Sequence, residues 1–477
     1  MGTTDRSLGE ESFASLSGPA LRSFEEAFAG SVIAPSDSDY DEARGVWNGS
    51  IDRYPALIAR CTGTSDVVEA VAFAREQGLP VSVRGGGHNV AGTAMGDASV
   101  VVDLSEMTGV RVDSEARTVR AAGGATLGDV DRETQIFGLA APLGAVSQTG
   151  IAGLTLGGGY GHLSRQYGLA LDALRSVDVV TADGEVRTAS DDRNPDLFWG
   201  LRGGGGSLGV VTSFEYDLHP VGPEVYAFFP WFRVEDADAV MARYREWIAD
   251  PPREAGVLAF AAHVPDVEEF PEDRWGEPAF AMLGSYRGDP GDGPEVFAPL
   301  LEAAPPIADL SGPTTYLDLQ SMLDEDYPDG RRYYWSSIYL AELPDGLLER
   351  MLAANDAAPS ALSTVDLWHL GGAVADVPRE ATAFWHRKEP HLLAVEANWD
   401  DPADDDENRR WARELIADVR DLPAASGRYG NFPGTNEAPA RAVYGDNYER
   451  LVEVKTRYDP ENLFPGNGFI EPQPVSG

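Results

Sequence analysis

Three glycine clusters crowd one stretch of this chain: "RGGGHNVAG" from Arg84 to Gly92, "GIAGLTLGGGYG" from Gly150 to Gly161, and "RGGGGSLGVV" from Arg202 to Val211. Glycine lets the main chain approach a ligand closely and turn successive N–H groups toward an anion. One such run is an ordinary tight turn, whereas three in one zone point to a large phosphate-bearing cofactor. The last run holds a formal G-x-G-x-x-G at Gly204, Gly206 and Gly209. It follows the helical "PDLFWGL" and enters the strand-like "VVTSFEYDL", the reverse of the strand-then-helix order a Rossmann site needs. No G-x-x-x-x-G-K-[ST] is present, so a P-loop is excluded as well.

Around these loops the hydrophobic period sets the elements. "PALIARC" reads as a strand, "TSDVVEAVAFAREQG" as a helix stopped by Gly78, and "LPVSV" as the next strand, a βαβ opening. "GVRVDSEARTVRAAG" and "SVDVVTADGEVRTAS" predict hairpins, the second turning at Asp183-Gly184. From about 221 to 422 the glycine clusters vanish. Alternating strands such as "VLAFAAHV", "YYWSSIYLAEL" and "HLLAVEANW" are separated by helices such as "DENRRWARELIADVRDL", which predicts an antiparallel sheet backed by helices. Asp324, Glu325, Asp326 and Asp329 read as solvated acidic surface. The aromatics Tyr333, Tyr334, Trp335 and Tyr339 suit either a pocket wall or a core, with Trp335 and Tyr339 on one strand face. Residues 1–20 are expected to be disordered.

The chain carries 78 acidic and 37 basic residues, a net charge of −41, with Lys388 and Lys455 the only lysines. Such a surface repels phosphodiesters and anionic lipids, so nucleic acid and membrane are not expected as partners. It also repels itself unless ions at about molar concentration, with a Debye length of about 3 Å, screen it, which predicts a halophilic protein. Cys61 is the single cysteine, so no internal disulfide or multi-cysteine metal site is possible. His369 and His386 lack metal-ligand spacing, and no metal is expected. No run approaches 18 apolar residues and the first residues lack a leader pattern, so a cytoplasmic location is expected.

"RGGGHNVAG", "GIAGLTLGGGYGHLSRQYGLALDAL", "FWGLRGGGGSLGVVTSFEYDLHPVG" and "YGDNYERLVEVKTRYDPENLF" follow one another in the order seen in berberine-bridge-enzyme-like FAD-linked oxidases of the vanillyl-alcohol-oxidase superfamily. The chain resembles this family from about Trp47 to its C-terminus, and among its members the bacterial branch that includes 6-hydroxy-D-nicotine oxidase. The resemblance implies an α+β fold: a two-subdomain FAD-binding domain of the PCMH type (21–220 and 425–477) and a substrate domain (221–424). It implies that His88 bonds the flavin at its 8α carbon. The cofactor-binding set would comprise Arg84, Gly85, Gly86, Gly87, Asn89, Gly92, Thr149, Gly150, Gly153, Gly157, Gly158, Gly159, Val210, Asn431 and Asn467.

Two departures stand out. Many relatives attach FAD a second time through a cysteine, which falls here at Val146, and the histidine closing that segment falls at Leu154. Attachment through His88 alone is therefore expected. At 464–470, "FPGNGFI" keeps Asn467 and Ile470 of the usual pattern but has Gly468 and Phe469 between them. His162 either faces the flavin or serves structure. In the family a tyrosine in Y-x-N often acts as base, which here is Tyr429 with Asn431 beside it. The implied reaction is oxidation of a C–OH or C–N centre of a small molecule, with O2 as acceptor. The alternatives are a dehydrogenase using another electron carrier, or an FAD-binding protein without turnover.

Overall fold

A computed structural model describes residues 6–16, 18–434 and 439–474. Of the stretch 1–20 expected to be disordered, residues 1–5 and 17 lie outside the described residues, and the rest, Leu16 apart, is helical, with helices at Arg6–Ser15 and Gly18–Ala27. Phe13, Leu16 and Leu21 are half-buried against a core containing Phe24, Phe28 and Phe73, which holds this helical segment to the first subdomain.

The first sheet has the order Ser31–Ile33, Leu57–Arg60, Val100–Asp103, Val81–Arg84. Helix Thr64–Gln77 crosses between two of these strands, and Gly78 ends it in the left-handed conformation, φ 66°. Both strands of the expected βαβ unit lie parallel to Val100–Asp103, which separates them. A second, five-stranded antiparallel sheet contains the two expected hairpins, Val110–Asp113 with Thr118–Ala122 and Leu174–Val180 with Val186–Ser190. Its central strand, Val210–Asp217, does follow a helix, Pro195–Leu201.

The third layer is a ten-stranded sheet. Strands Pro278–Tyr286, Ala255–His263, Thr364–His369, His391–Trp399 and Arg332–Leu340 form its antiparallel centre. Alternate side chains such as Val257, Met282, Val365, Leu367, Leu393 and Val395 pack with helices Ala237–Trp247, Leu347–Asp356 and Asp405–Arg420 in one core. Because successive strand residues face opposite sides, the residues between them face away from the helices. That second face is the one turned toward the glycine loops.

The edge of this sheet lies beyond the expected boundary at 425. Ala425–Ser426 pairs with Tyr339 and Leu340, Pro433 bridges to Ser336, and the Gly434 N–H donates to Trp335 O at 2.8 Å. The segment carrying Tyr429 therefore runs along the large sheet. Only after it does the chain return to the second sheet, through helix Tyr448–Tyr458, whose Leu451 and Val454 are buried with Phe198 and Leu208.

Candidate active site

The glycine loops meet the free face of the large sheet around one continuous cavity. Gly85, Gly86, Gly87, His88, Asn89, Thr149, Gly150, Gly153 and Gly157 line one side of it, with Tyr429, Asn431 and Asn467. Gly205 and Gly206 of the third cluster join them. Arg84, Gly92, Gly158, Gly159 and Val210 stand outside the lining. Arg84 donates from Nη1 to Ala43 O at 2.8 Å, and Val210 is buried in strand pairing with Val180.

The first two loops touch backbone to backbone. A Cβ at Gly86 would stand 2.5 Å from Gly150 N, so no larger residue fits there. Beside them the His88 ring stacks on Trp47, centroids 4.0 Å apart, and Trp47 stacks in turn on Tyr333. Burial pushes the His88 pKa down to about 4, so the imidazole is neutral. Its Nε2 is buried without a hydrogen-bond partner. A cradle of glycine amides with a neutral, unpartnered imidazole at its lip fits a flavin dinucleotide: the amides suit a pyrophosphate and the free nitrogen suits attachment. Val146 also lines the cavity, and it offers no second attachment.

Tyr429 is 4% exposed. Its hydroxyl oxygen accepts from Gly159 N–H at 3.1 Å and from Asn431 Nδ2 at 3.0 Å. Burial raises its pKa, while those two donors favour the phenolate and partly offset the rise. Asn431 Nδ2 also donates to Leu154 O at 3.1 Å. Gly157 leaves the room this needs, because a Cβ there would fall 2.0 Å from Asn431 Oδ1. Tyr160 meets Tyr429 edge to face at 5.0 Å.

Opposite these residues, the free sheet face presents what the sequence did not single out. Asp366 lies between Val365 and Leu367, which point to the helices, so it faces the cavity, and Glu396 on the neighbouring strand does the same. The two carboxyls are hydrogen-bonded to each other, and Tyr327 donates to Glu396 Oε2 at 2.7 Å. Burial pushes Asp366 up to about 7, and burial together with Asp366 holds Glu396 well above the usual carboxylate range. The pair therefore keeps at least one proton at neutral pH. The one sequence signal was a lone charge in each of two otherwise uncharged stretches, "TVDLW" and "LLAVEANW".

Of the aromatics, Trp335 lines the cavity, Tyr334 belongs to the helix-side core, and Tyr339 packs with Tyr160 and Tyr429. His162 is on the cavity wall with Nε2 buried and unpartnered. Asp324 is not free acidic surface: it accepts from Ser147 N–H at 2.8 Å and from the Ser147 hydroxyl, tying the large sheet's flank to the second glycine region. Among the described residues no cluster suits a metal ion, and no helix is long and apolar enough to cross a membrane.

Residues 55–190 match the FAD binding domain family and residues 428–467 the family described as berberine and berberine like. The chain is 31% identical to (R)-6-hydroxynicotine oxidase of Paenarthrobacter nicotinovorans over 93% of its own length and 97% of that protein's. It is 30% identical to an FAD-linked oxidoreductase of Dictyostelium discoideum over 95% and 97% of the respective lengths. The crystal structure of 6-hydroxy-D-nicotine oxidase from Arthrobacter nicotinovorans superposes with a TM-score of 0.82 at 28% identity, covering 94% of this chain and 98% of that one.

Proposed function

This chain is an enzyme belonging to the berberine-bridge-like FAD-linked oxidoreductases, and from that premise we propose that it oxidises a C–OH or C–N centre of a small organic substrate, with O2 as the electron acceptor. One observation carries the reading: a single cavity joins the glycine cradle and free imidazole of His88 to a sheet face that holds proton-accepting groups. FAD supplies the hydride acceptor when bound. The loops Gly85–Asn89 and Thr149–Gly150 would hold it, with Asn467 at the C-terminal side and His88 as the only attachment.

The protein's part is to position the substrate and receive its proton. Tyr429 has an oxygen already held by two N–H donors, which stabilise the phenolate that must be present for it to act as base. Burial opposes ionisation of the phenol while the two donors favour it, and it is the phenolate that takes the substrate's proton, becoming the neutral phenol as hydride leaves. Asn431 fixes Tyr429 by bridging it to Leu154 O. A second reading makes the Asp366–Glu396 pair the base, favoured by its place on the cavity wall and by the Asp366 carboxyl, which burial brings to about 7.

Acid-precipitated protein should stay yellow, with the FAD mass on the peptide holding His88, and His88→Ala should release the flavin. An adduct on Cys61, or none, overturns the attachment. Flavin bleaching under nitrogen with a panel of alcohols and amines, then recovery on admitting air, tests the oxidation and its acceptor. Bleaching with no recovery in air assigns electrons to another carrier, and no bleaching with any panel member removes the oxidation reading. Loss of reduction in Glu396→Gln with Tyr429→Phe unaffected moves the base to the carboxyl pair.

A further inference from the structure

At the Gly256–Ser285 end of the same sheet face lie two guanidinium groups with no role in the chemistry above. Arg165 and Arg287 are each 8% exposed. Arg165 donates to Ala255 O, Leu370 O and His369 Nε2. Arg287 donates to Ser285 O, Ser285 Oγ and Arg253 O, and its Nε has no partner. All these acceptors are neutral, and among the described residues no carboxylate pairs with either arginine. Two other buried cations, Arg387 and Lys455, hold Asp172 and Asp459. Of the 78 acidic residues, Glu254 acts on Arg287 through its charge but makes no ion pair with it.

The two arginines also sit together. A Cβ on Gly256 would stand 3.6 Å from Arg165 Cδ and 3.8 Å from Arg287 Nη1. Burial, with Arg165 nearby, pushes the Arg287 pKa down to about 10, so it stays charged. Further donors are left over beside them. Because Arg165 occupies His369 Nε2, the ring proton is on Nδ1, which is buried without a partner, as is the Trp368 indole N–H. Arg165, Gly256, Ser285, Trp368 and His369 all line the cavity. Buried like charges lacking a counter-ion are costly, and unspent donors around them make an anion the group that would remove the cost.

We propose that this end of the cavity binds an anionic group of the substrate, a carboxylate, in contact with Arg165 and within the field of Arg287, which stands behind the lining residue Ser285. The planar guanidinium fork matches carboxylate geometry, and the apolar neighbours Leu258 and Leu283 suit an organic body attached to it. The word "substrate" rests on the oxidation reading; the anion site itself does not.

Titration calorimetry of the holoprotein, at constant chloride, with benzoate, benzamide and inorganic phosphate tests this without turnover. Benzoate should bind about 10²-fold more tightly than benzamide, the scale of losing one partner of a buried charge pair, and more tightly than phosphate. Arg165→Met should weaken benzoate by a similar factor, and Arg287→Met by a smaller one while raising the melting temperature, since it removes a buried charge with no ion-pair partner. Gly256→Asp should supply the missing carboxylate from the chain itself, abolishing benzoate binding and also raising the melting temperature. Equal affinities for benzoate and benzamide, or wild-type benzoate binding by Gly256→Asp, overturns the site, and tighter phosphate binding overturns its assignment to a carboxylate. Benzoate binding by a protein whose flavin no substrate bleaches upholds the anion site while the oxidation reading fails.

Discussion

Tyr429 shows how a residue's surroundings decide its chemistry. Its oxygen is held by Gly159 and Asn431, so replacing it with phenylalanine keeps shape and packing while deleting the proton acceptor. Tyr429→Phe should slow flavin reduction by about 10²- to 10⁴-fold, with flavin content unchanged, and stopped-flow absorbance reads both. A rate within about threefold of wild type would remove it from the mechanism. Asp131 gives a separate prediction about stability. It is fully buried, its Oδ2 accepts from Gln320 Nε2 at 2.9 Å, and its Oδ1 has no partner. Burial pushes its pKa up to about 7, against about 3.9 in an unfolded chain. Between those values the folded state holds a proton the unfolded state has released, so this residue's contribution falls as pH rises and is fully present only below about pH 4. Asp131→Asn should therefore raise the melting temperature at pH 8 and change it little at pH 4, which calorimetry at the two pH values checks.

At the level of elements, the glycine loops divide into those that glycine holds together and those it holds open. Gly86 is pressed on Gly150, and a methyl there would meet backbone at 2.5 and 2.6 Å, which cannot move without separating the two loops. Gly153, on the short helix Ile151–Leu156, faces the cavity with no protein atom within 4 Å of the same methyl. Gly86→Ala should lower both soluble yield and melting temperature. Gly153→Ala should melt like wild type once flavin-free, yet retain less FAD, because its methyl enters only the space meant for the cofactor. Yield, flavin absorbance and thermal melts of the two apoproteins distinguish these outcomes, and a Gly86→Ala protein as stable as wild type would show that the loops are not locked by this contact. The sheet works similarly: its period of two sends Val365 and Leu367 to the helices and Asp366 to the cavity, so one strand serves core and site at once.

For the whole molecule the dominant feature is charge. With a net charge of −41, carboxylate repulsion opposes the compact state whenever screening is removed, so the melting temperature should climb steeply from dilute buffer to molar KCl. A flat profile would mean the acidity has no such consequence. The strands, the two hairpins and the helix stop at Gly78 were legible because period and glycine placement act over a few residues. His88, Tyr429 and Asn431 stood in recognisable motifs, and all three line one cavity. The helical leader at 6–27 was not legible, since its scattered apolar residues mean burial only once Phe73 and its neighbours are there to receive them. Nor was the Asp366–Glu396 pair, or the junction of Arg165 with Arg287. Such residues are ordinary polar side chains in sequence. They become a coupled carboxyl pair and a buried cationic junction only when strand order brings distant segments side by side, and when the surrounding apolar packing excludes the water that would otherwise have neutralised their effect.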